Sequence, residues 1–438
     1  MPRLGYHLWR TRTLIPRNET KLGVTSLFSI KVYMNMKCLQ LSTIILPVII
    51  ALMVYFLYTP LPPDLKQKWA IQKQFAMTKI GSVIICMAEH LDYGSYINIS
   101  RAVFDTVASG ALNQENVTMT DAMFGKVPVT IFRPRTANDL SPALLYFHGG
   151  GWVFASTAVL AGGIADIAEW LNVVVVSVDY RLAPENPFPA PFDDCVTASV
   201  HLLHNGHRLG IDVNHIGVTG DSVGGNLAAA VALRLSEDTT LPKLKCQILI
   251  YPVLQAFDTK LTSYMENSYE SLHRESIGKA YLWYLGRDVL KTSEQAILSN
   301  NHLTPALKKS VYYKSLVHQN LLPMKYRRKD TPDETDKINM TFAKSLETLL
   351  INPYIFPLMA KDLSKMPPSL IITSEYDILR DEGFMFAERL RQCGVKVQHN
   401  NMNAVHGFFF RPPRETFRYD SMLDTLNIMA KYFKQQLK

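Results

Sequence analysis

Three stretches, "NVVVVSVDY" (172–180), "KCQILIY" (245–251) and "SLIITS" (369–374), are apolar at odd and even positions alike. A strand with one wet face alternates in polarity, and a strand covered on both faces does not. "ALLYF" (143–147) and "HIGVTG" (215–220) are further short runs of this kind. "VTMTDAMFG" (117–125) and "VPVTIFRP" (127–134) precede them, and "VKVQHNNM" (395–402) is a weaker eighth candidate. Helical segments separate several of these runs: "GGIADIAEWL" (162–171), "FDDCVTASVHLLHN" (192–205), "GGNLAAAVALRLSED" (224–238) and "DEGFMFAERLRQCG" (381–394). Alternating β and α predicts an α/β chain with an open, mostly parallel eight-stranded sheet flanked by helices. An amphipathic helix at about 415–437 closes it.

Two intervals fall outside this rhythm. Residues 64–110 carry apolar residues at helical spacing. Residues 255–366 look helical and irregular, and so long an insertion in an α/β sheet is expected to form a cap over the site. The basic run "KYRRKD" (325–330) reads as a solvated face of that insertion.

One more apolar run lies upstream. "LQLSTIILPVIIALMVYFLY", Leu39 to Tyr58, has 20 residues and no charge, about the ~20 needed to span a bilayer. Seven cations (Arg3, Arg10, Arg12, Arg17, Lys21, Lys31, Lys37) and one anion (Glu19) precede it, so +6 of the net +8 sits in this tail and +2 in the rest. The basic balance therefore belongs to the tail, and no nucleic-acid-binding module is present to make nucleic acid a partner. The charge asymmetry places the N-terminus in the cytosol and everything after Tyr58 across the membrane. A cleaved signal peptide and a buried helix are the alternatives, but the run is long for a signal peptide and "TPLPPDLKQKW" offers no small-residue cleavage site. The expected organisation is a basic cytosolic tail (1–37), a transmembrane signal anchor (38–59) and a lumenal domain (60–438) with cap elements at about 64–110 and 255–366. Met36 heads a second compact beginning, "MKCLQLSTIILPV", from which the orientation rests on Lys37 alone.

The five cysteines (Cys38, Cys86, Cys195, Cys246, Cys393) match no zinc spacing and no disulfide framework, so no metal is expected. Sequons at Asn98, Asn116 and Asn339 fall on the far side of the membrane in this topology, and are glycosylation candidates; Asn18 falls on the cytosolic side.

The chemistry concentrates in four places. "VTGDSVGGN" (218–226) holds Gly220-Asp221-Ser222-Val223-Gly224, a G-x-S-x-G between a strand and an alanine-rich helix. That is where a strained turn presents a nucleophilic serine, with the positive end of the helix behind it. A serine hydroxyl needs a base, and in this arrangement the acid and the histidine follow the serine in the chain. "SLIITSEYDILRD" supplies Glu375, Asp377 and Asp381; Asp377 lies just past the strand, whereas Asp381 reads as a first-turn helix acid. His406 in "NAVHGFFF" follows the last strand and is preferred to His399, which lies within the strand run. The attack creates an oxyanion that needs preorganised N–H donors. "LLYFHGGGWVF" (144–154) places three glycines at a strand exit, where the amides of Gly149 and Gly150, with that of Val223, are the candidate donors. Trp152 either lines the pocket or packs beneath this loop.

Together, "HGGGW" (148–152), "VDYRLAPENPFPAP" (178–191), "GDSVGGN" (220–226), "YDILRD" (376–381) and "HGF" (406–408) resemble the hormone-sensitive-lipase-like branch of the α/β hydrolases. "YPVLQ", "RLRQCGVKV" and the apolar run narrow the resemblance to the arylacetamide deacetylase group. It covers nearly everything from Met36 onward. The resemblance implies the α/β-hydrolase fold and a single-pass type II protein of the endoplasmic reticulum. It also implies lumenal hydrolysis of carboxylic esters or acetamides of lipophilic molecules, without cofactor or metal. It maps a triad onto Ser222, Asp377 and His406 and the oxyanion motif onto His148, Gly149 and Gly150. Tyr180, Arg181 and Pro184 are implied to brace the oxyanion loop from behind. Two departures stand out. Positions where relatives carry cysteines able to bridge are Val153 and Ser374, and the run before His406 is Asn403-Ala404-Val405 where relatives tend to have an acid. The competing reading is a catalytically inactive relative that binds lipophilic ligands.

Overall fold

The computed structural model describes residues 31, 45–108, 115–328, 338–409 and 419–437. The chain divides into two compact units, Met1–Thr59 and Pro60–Lys438. In the first, residues 45–57 form helix α1, whose apolar side chains are largely exposed. Among the described residues no helix is long and apolar enough to cross a membrane. Residues 39–44 of the 20-residue apolar run lie outside the described residues.

The second unit is built on eight strands: β1 (Val117–Phe124), β2 (Val127–Pro134), β3 (Ser141–Phe147), β4 (Val174–Val178), β5 (Ile211–Asp221), β6 (Gln247–Ile250), β7 (Ser369–Tyr376) and β8 (Val397–Val405). They form one sheet in the order β1-β2-β4-β3-β5-β6-β7-β8. β2 is antiparallel to β1 and β4; every other pairing is parallel. The doubly apolar strands behave as their composition requires. Val174, Val176, Leu145 and Phe147 join the core on one face of the sheet, and Val173, Val175, Leu144 and Tyr146 join the core on the other. Each such side chain contributes roughly 1.5–3 kcal/mol by leaving water. Among the buried polar residues of the central strands, Gln247 donates to the Ser369 hydroxyl within the sheet.

Before the sheet, α2 (Lys68–His90) and α3 (Tyr96–Ala108) form a helical pair. Within and after it come α4 (Thr157–Leu171), α5 (Ala190–Asn205) and α6 (Val223–Glu237). The long insertion holds α7 (Thr262–Glu266), α8 (Arg274–Tyr284), α9 (Lys291–Leu298), α10 (Pro305–Lys309) and α11 (Met340–Leu350), with short 3₁₀ and π turns. α12 (Arg380–Gln392) and α13 (Asp420–Gln436) complete the chain. Most of the sequence-based strand boundaries shift by one to four residues. Asn172 is not strand but the left-handed C-cap of α4, at φ 52°, and β5 starts four residues before His215, at Ile211.

The basic run at 325–328 is not simply a solvated face. Arg328 turns inward, its Nη2 2.8 Å from Oδ2 of the buried Asp258, and Arg327 donates from Nε to the Leu322 carbonyl at 2.9 Å. Lys325 remains exposed, over the Tyr326 ring. Residues 329 and 330 lie outside the described residues.

Candidate active site

β5 ends at Asp221 and α6 begins at Val223, leaving Ser222 alone in the turn at φ 54°, ψ −120°. A left-handed backbone at a non-glycine residue costs about 1–3 kcal/mol and persists only where the surroundings force it. The forcing is visible in the flanking glycines. A Cβ on Gly224 would lie 2.0 Å from the Phe147 carbonyl oxygen, and one on Gly220 would lie 2.4 Å from the Gly224 backbone. Strand and helix approach so closely here that only glycine fits. The turn is fixed from outside by the Ser222 amide, which donates to the Ile250 carbonyl at 2.9 Å.

The chain brings two distant side chains to this serine. His406, just past β8, sets Nε2 3.0 Å from Ser222 Oγ. Asp377, just past β7, sets Oδ2 2.7 Å from His406 Nδ1. The other Asp377 oxygen accepts the Leu379 amide at 2.9 Å, which fixes the carboxylate plane. All three side chains are buried, with Ser222 8% and His406 7% exposed. The alternatives from the sequence are engaged elsewhere. Glu375 accepts from the Tyr326 hydroxyl at 2.5 Å. Asp381 binds Arg380 Nε and the Ser263 amide, both at 2.9 Å. His399 meets the Thr373 hydroxyl at 2.9 Å, and burial pushes its imidazole down to about 4.

The glycine triplet follows β3. Gly150 (φ 111°) and Gly151 (φ 66°) both require glycine's freedom. One expectation needs correction here. The Gly149 amide does not face a vacant oxyanion position; it donates to Asp221 Oδ1 at 2.9 Å. A Cβ on Gly149 would lie 2.3 Å from Asp221 Oδ2. Among the described residues, no acceptor is recorded for the amides of Gly150, Gly151 or Val223. Val223 opens α6, where the first N–H groups have no partner within the helix. The sequence assigns neither Gly151 nor Asp221 a role of its own. The triplet itself was the signal for Gly151, and nothing local distinguishes Asp221 from any residue between a glycine and a serine.

His148 is a brace rather than a donor to substrate. Its Nδ1 lies 2.8 Å from the Gly149 carbonyl, its ring stacks on Tyr180 at 4.2 Å, and the Tyr180 hydroxyl donates to the His148 carbonyl at 2.6 Å. Burial lowers its pKa, favouring the neutral ring. Asp221 also accepts from the Tyr146 hydroxyl at 2.6 Å; burial raises its pKa while these hydrogen bonds oppose the rise. Tyr180 thus braces the loop. Arg181 does not: it forms a forked pair with Asp194 on α5, both contacts 2.8 Å. Beside Pro184, the Ala183 amide donates to the Trp152 carbonyl at 2.9 Å. Trp152 packs under the loop, fully buried and stacked on Tyr284 at 4.1 Å. A further support comes from α3. Arg101 donates from Nε to the Val153 carbonyl at 2.8 Å and from Nη2 to the Ala183 carbonyl at 2.9 Å, and pairs with Glu185.

Of the sequons, Asn98 is exposed on α3. Asn116 donates from Nδ2 to Glu169 at 2.7 Å, and Asn339 caps α11 through the Phe342 amide at 3.1 Å. Among the described residues no His, Cys, Asp and Glu cluster fit for a metal ion occurs.

A family model described as alpha/beta hydrolase fold matches residues 144–308 and 324–410, which take in the serine, the acid, the histidine and the glycine triplet. Arylacetamide deacetylase of Oryctolagus cuniculus is 35% identical over 376 residues, 84% of this chain and 93% of its own length. The chain belongs to the arylacetamide-deacetylase-like α/β hydrolases. By class it is a carboxylic ester hydrolase. Neutral cholesterol ester hydrolase 1 of Bos taurus is another relative, 31% identical over 90% of this chain and 99% of its own. Among solved structures, a fungal esterase from Rhizomucor miehei superposes with a TM-score of 0.58 at 26% identity, covering 77% of this chain and 90% of its own. Within this α/β hydrolase the serine, acid and histidine follow one another in the order usual for the fold.

Proposed function

We propose that the chain is a serine hydrolase that cleaves carboxylic esters or acetamides of lipophilic molecules through an acyl-enzyme. The observation that carries this reading is the continuous relay of Asp377, His406 and Ser222, at 2.7 and 3.0 Å, beside amides for which the described residues offer no other acceptor.

In this reading Ser222 Oγ attacks the substrate carbonyl as its proton passes to His406 Nε2. Asp377 holds the proton on Nδ1, so that Nε2 is the base, and stabilises the imidazolium that forms. The developing oxyanion is met by the amides of Gly150, Gly151 and Val223. Gly149 serves one step behind, pinned to Asp221 so that the next two amides keep their direction. Collapse of the tetrahedral intermediate expels the alcohol or amine, which takes the proton from His406. Water then repeats the sequence on the acyl-serine and regenerates the enzyme. No cofactor enters any of these steps.

The uncharged run Leu39–Tyr58 behind a tail of net charge +6 supports a type II signal anchor, with the catalytic unit in the lumen of the endoplasmic reticulum. The names of the relatives, one acting on arylacetamides and one on cholesterol esters, support lipophilic substrates.

The test is hydrolysis of p-nitrophenyl esters from acetate to palmitate by microsomes carrying the wild-type chain or Ser222→Ala. Activity and fluorophosphonate labelling present in the wild type and lost in the variant are expected. Wild-type chain that matches empty-vector microsomes and takes up no probe overturns the reading in favour of an inactive binding protein.

A further inference from the structure

α2 is apolar on two opposite faces. Ile71 and Phe75 are buried on one, against the catalytic unit, where Phe75 stacks on Tyr269. The other face carries Trp69, Met77, Ile80, Ile84, Met87 and Leu91, spaced so that all six fall on one stripe of a 3.6-residue helix. Every one is exposed, from Ile80 at 45% to Trp69 at 81%. On α3, Val103 and Phe104 are also exposed, and a groove of about 460 Å³ lined by Tyr93, Asn98, Ile99, Ala102, Val103 and Thr106 lies there. Soluble proteins seldom leave six large apolar side chains exposed along one helix face.

Three observations identify what covers it. The apolar run ends at Tyr58, ten residues before Lys68, a tether of at most about 35 Å. That tether is fixed next to the candidate active site: Asn403 accepts the Lys66 amide at 2.8 Å and donates to the Asp64 carbonyl at 3.1 Å, three residues before His406. Finally, exposed Lys66 and Lys73 lie toward the tethered end of α2, Lys73 within the stripe itself, where their ammonium groups suit lipid phosphates.

We propose that the outer face of α2 and α3 lies in the interfacial layer of the bilayer, with the stripe among the acyl chains. The proposal rests on the membrane attachment put forward above. The layer it describes is also the wall of the glycine loop. Tyr96 and Phe104 of α3 pack on Phe154 at 6.5 and 6.3 Å, while Arg101 holds the Val153 carbonyl. A lipophilic ester dissolved in the membrane thereby meets the loops around Ser222 without crossing water.

The experiment uses the full chain in phosphatidylcholine vesicles, with Cys38, Cys86 and Cys393 replaced by serine. A nitroxide is attached at Ile80→Cys, Ile84→Cys or Met87→Cys, with Met123→Cys on exposed β1 as reference. Collision with oxygen is expected to exceed collision with a water-soluble nickel complex at the three α2 positions and to fall below it at 123. Water-like behaviour at all four overturns the proposal. Dipolar broadening between labels of two molecules overturns it too, because a second copy then covers the face. Asn98 opens on the same groove, so a glycan found on it by mass spectrometry is a third overturning result. In activity, the triple variant Ile80→Ser, Ile84→Ser, Met87→Ser is expected to keep wild-type rates on soluble p-nitrophenyl acetate and lose about tenfold on a vesicle-embedded long-chain ester. Equal rates on both, or an equal fall on both, overturn it. Failure of the hydrolase reading appears separately, as Ser222→Ala that retains activity while the label accessibilities stand.

Discussion

Gly149 donates its backbone N–H to the side chain of Asp221, the residue immediately before Ser222, across 2.9 Å. The contact joins the glycine loop to the nucleophile turn over 72 residues of sequence. Asp221→Ala leaves the buried Tyr146 hydroxyl and Gly149 amide without an acceptor. We predict a loss of about 10²-fold in kcat, roughly the effect of disturbing one oxyanion donor, with KM near the wild-type value. Asp221→Asn still offers one carbonyl oxygen to both donors and is expected to lose about tenfold or less. Steady-state kinetics on one soluble ester separates the two variants.

Asp377→Asn preserves the shape of the proposed acid but not its ability to accept the Nδ1 proton while also accepting the Leu379 amide. The expected result is a fall of about 10³–10⁴ in kcat. The neighbouring Glu375→Gln, whose carboxylate serves Tyr326 and Asn401, should cost activity only through stability. Similar losses in both variants would sink the assignment of Asp377.

Glu382 gives a pH dependence of folding. It is wholly buried at the start of α12, accepting from the Leu254 and Gln255 amides, the Gln255 side chain and the Tyr264 hydroxyl, yet burial pushes its carboxyl up to about 8. Between about 4.5 and 8 the folded chain holds a proton that the unfolded chain has released. Its contribution is therefore present at low pH and lost as pH rises through that window, at no more than ~1.4 kcal/mol per unit. Thermal unfolding of the wild type should lose Tm across this range relative to Glu382→Gln, and the difference should level off above it. Parallel curves for the two proteins would show that another group sets the slope.

Asn403 both accepts and donates where the chain enters the catalytic unit. Asn403→Asp keeps the acceptor for Lys66 but turns a carboxylate oxygen toward the Asp64 carbonyl. A destabilisation of about 1–2 kcal/mol is expected, read as a lower midpoint in urea. No change would mean that Asn403 contributes nothing to holding the tether.

The sheet was legible because its central strands are buried on both faces, which Val, Ile and Leu runs such as 174–176 and 370–372 satisfy best. Ser222 was legible because Gly220 and Gly224 are dictated by backbone approaching backbone, a constraint that leaves a sequence trace. His406 and Asp377 could be chosen over His399 and Asp381 from their positions after strand ends. Other features left no local trace. Whether the Gly149 amide points at substrate or at Asp221 depends on how β3 and β5 align. Arg328 looked solvated among its basic neighbours because its partner Asp258 lies 70 residues away. The exposed stripe of α2 shows in the sequence only as helical periodicity, which does not reveal which of two apolar faces packs.

Arg101 carries a consequence for the conditions under which such an enzyme works. The two positions at which the resemblance implies a sulfur bridge hold Val153, in the glycine loop, and Ser374, in β7. Val153 is instead held through its carbonyl by a guanidinium that also binds Ala183 and Glu185. A loop fastened by charge and hydrogen bonds has no oxidised and reduced forms. Its order is set by salt and solvent rather than by the thiol balance of the compartment, so glutathione has no purchase on it.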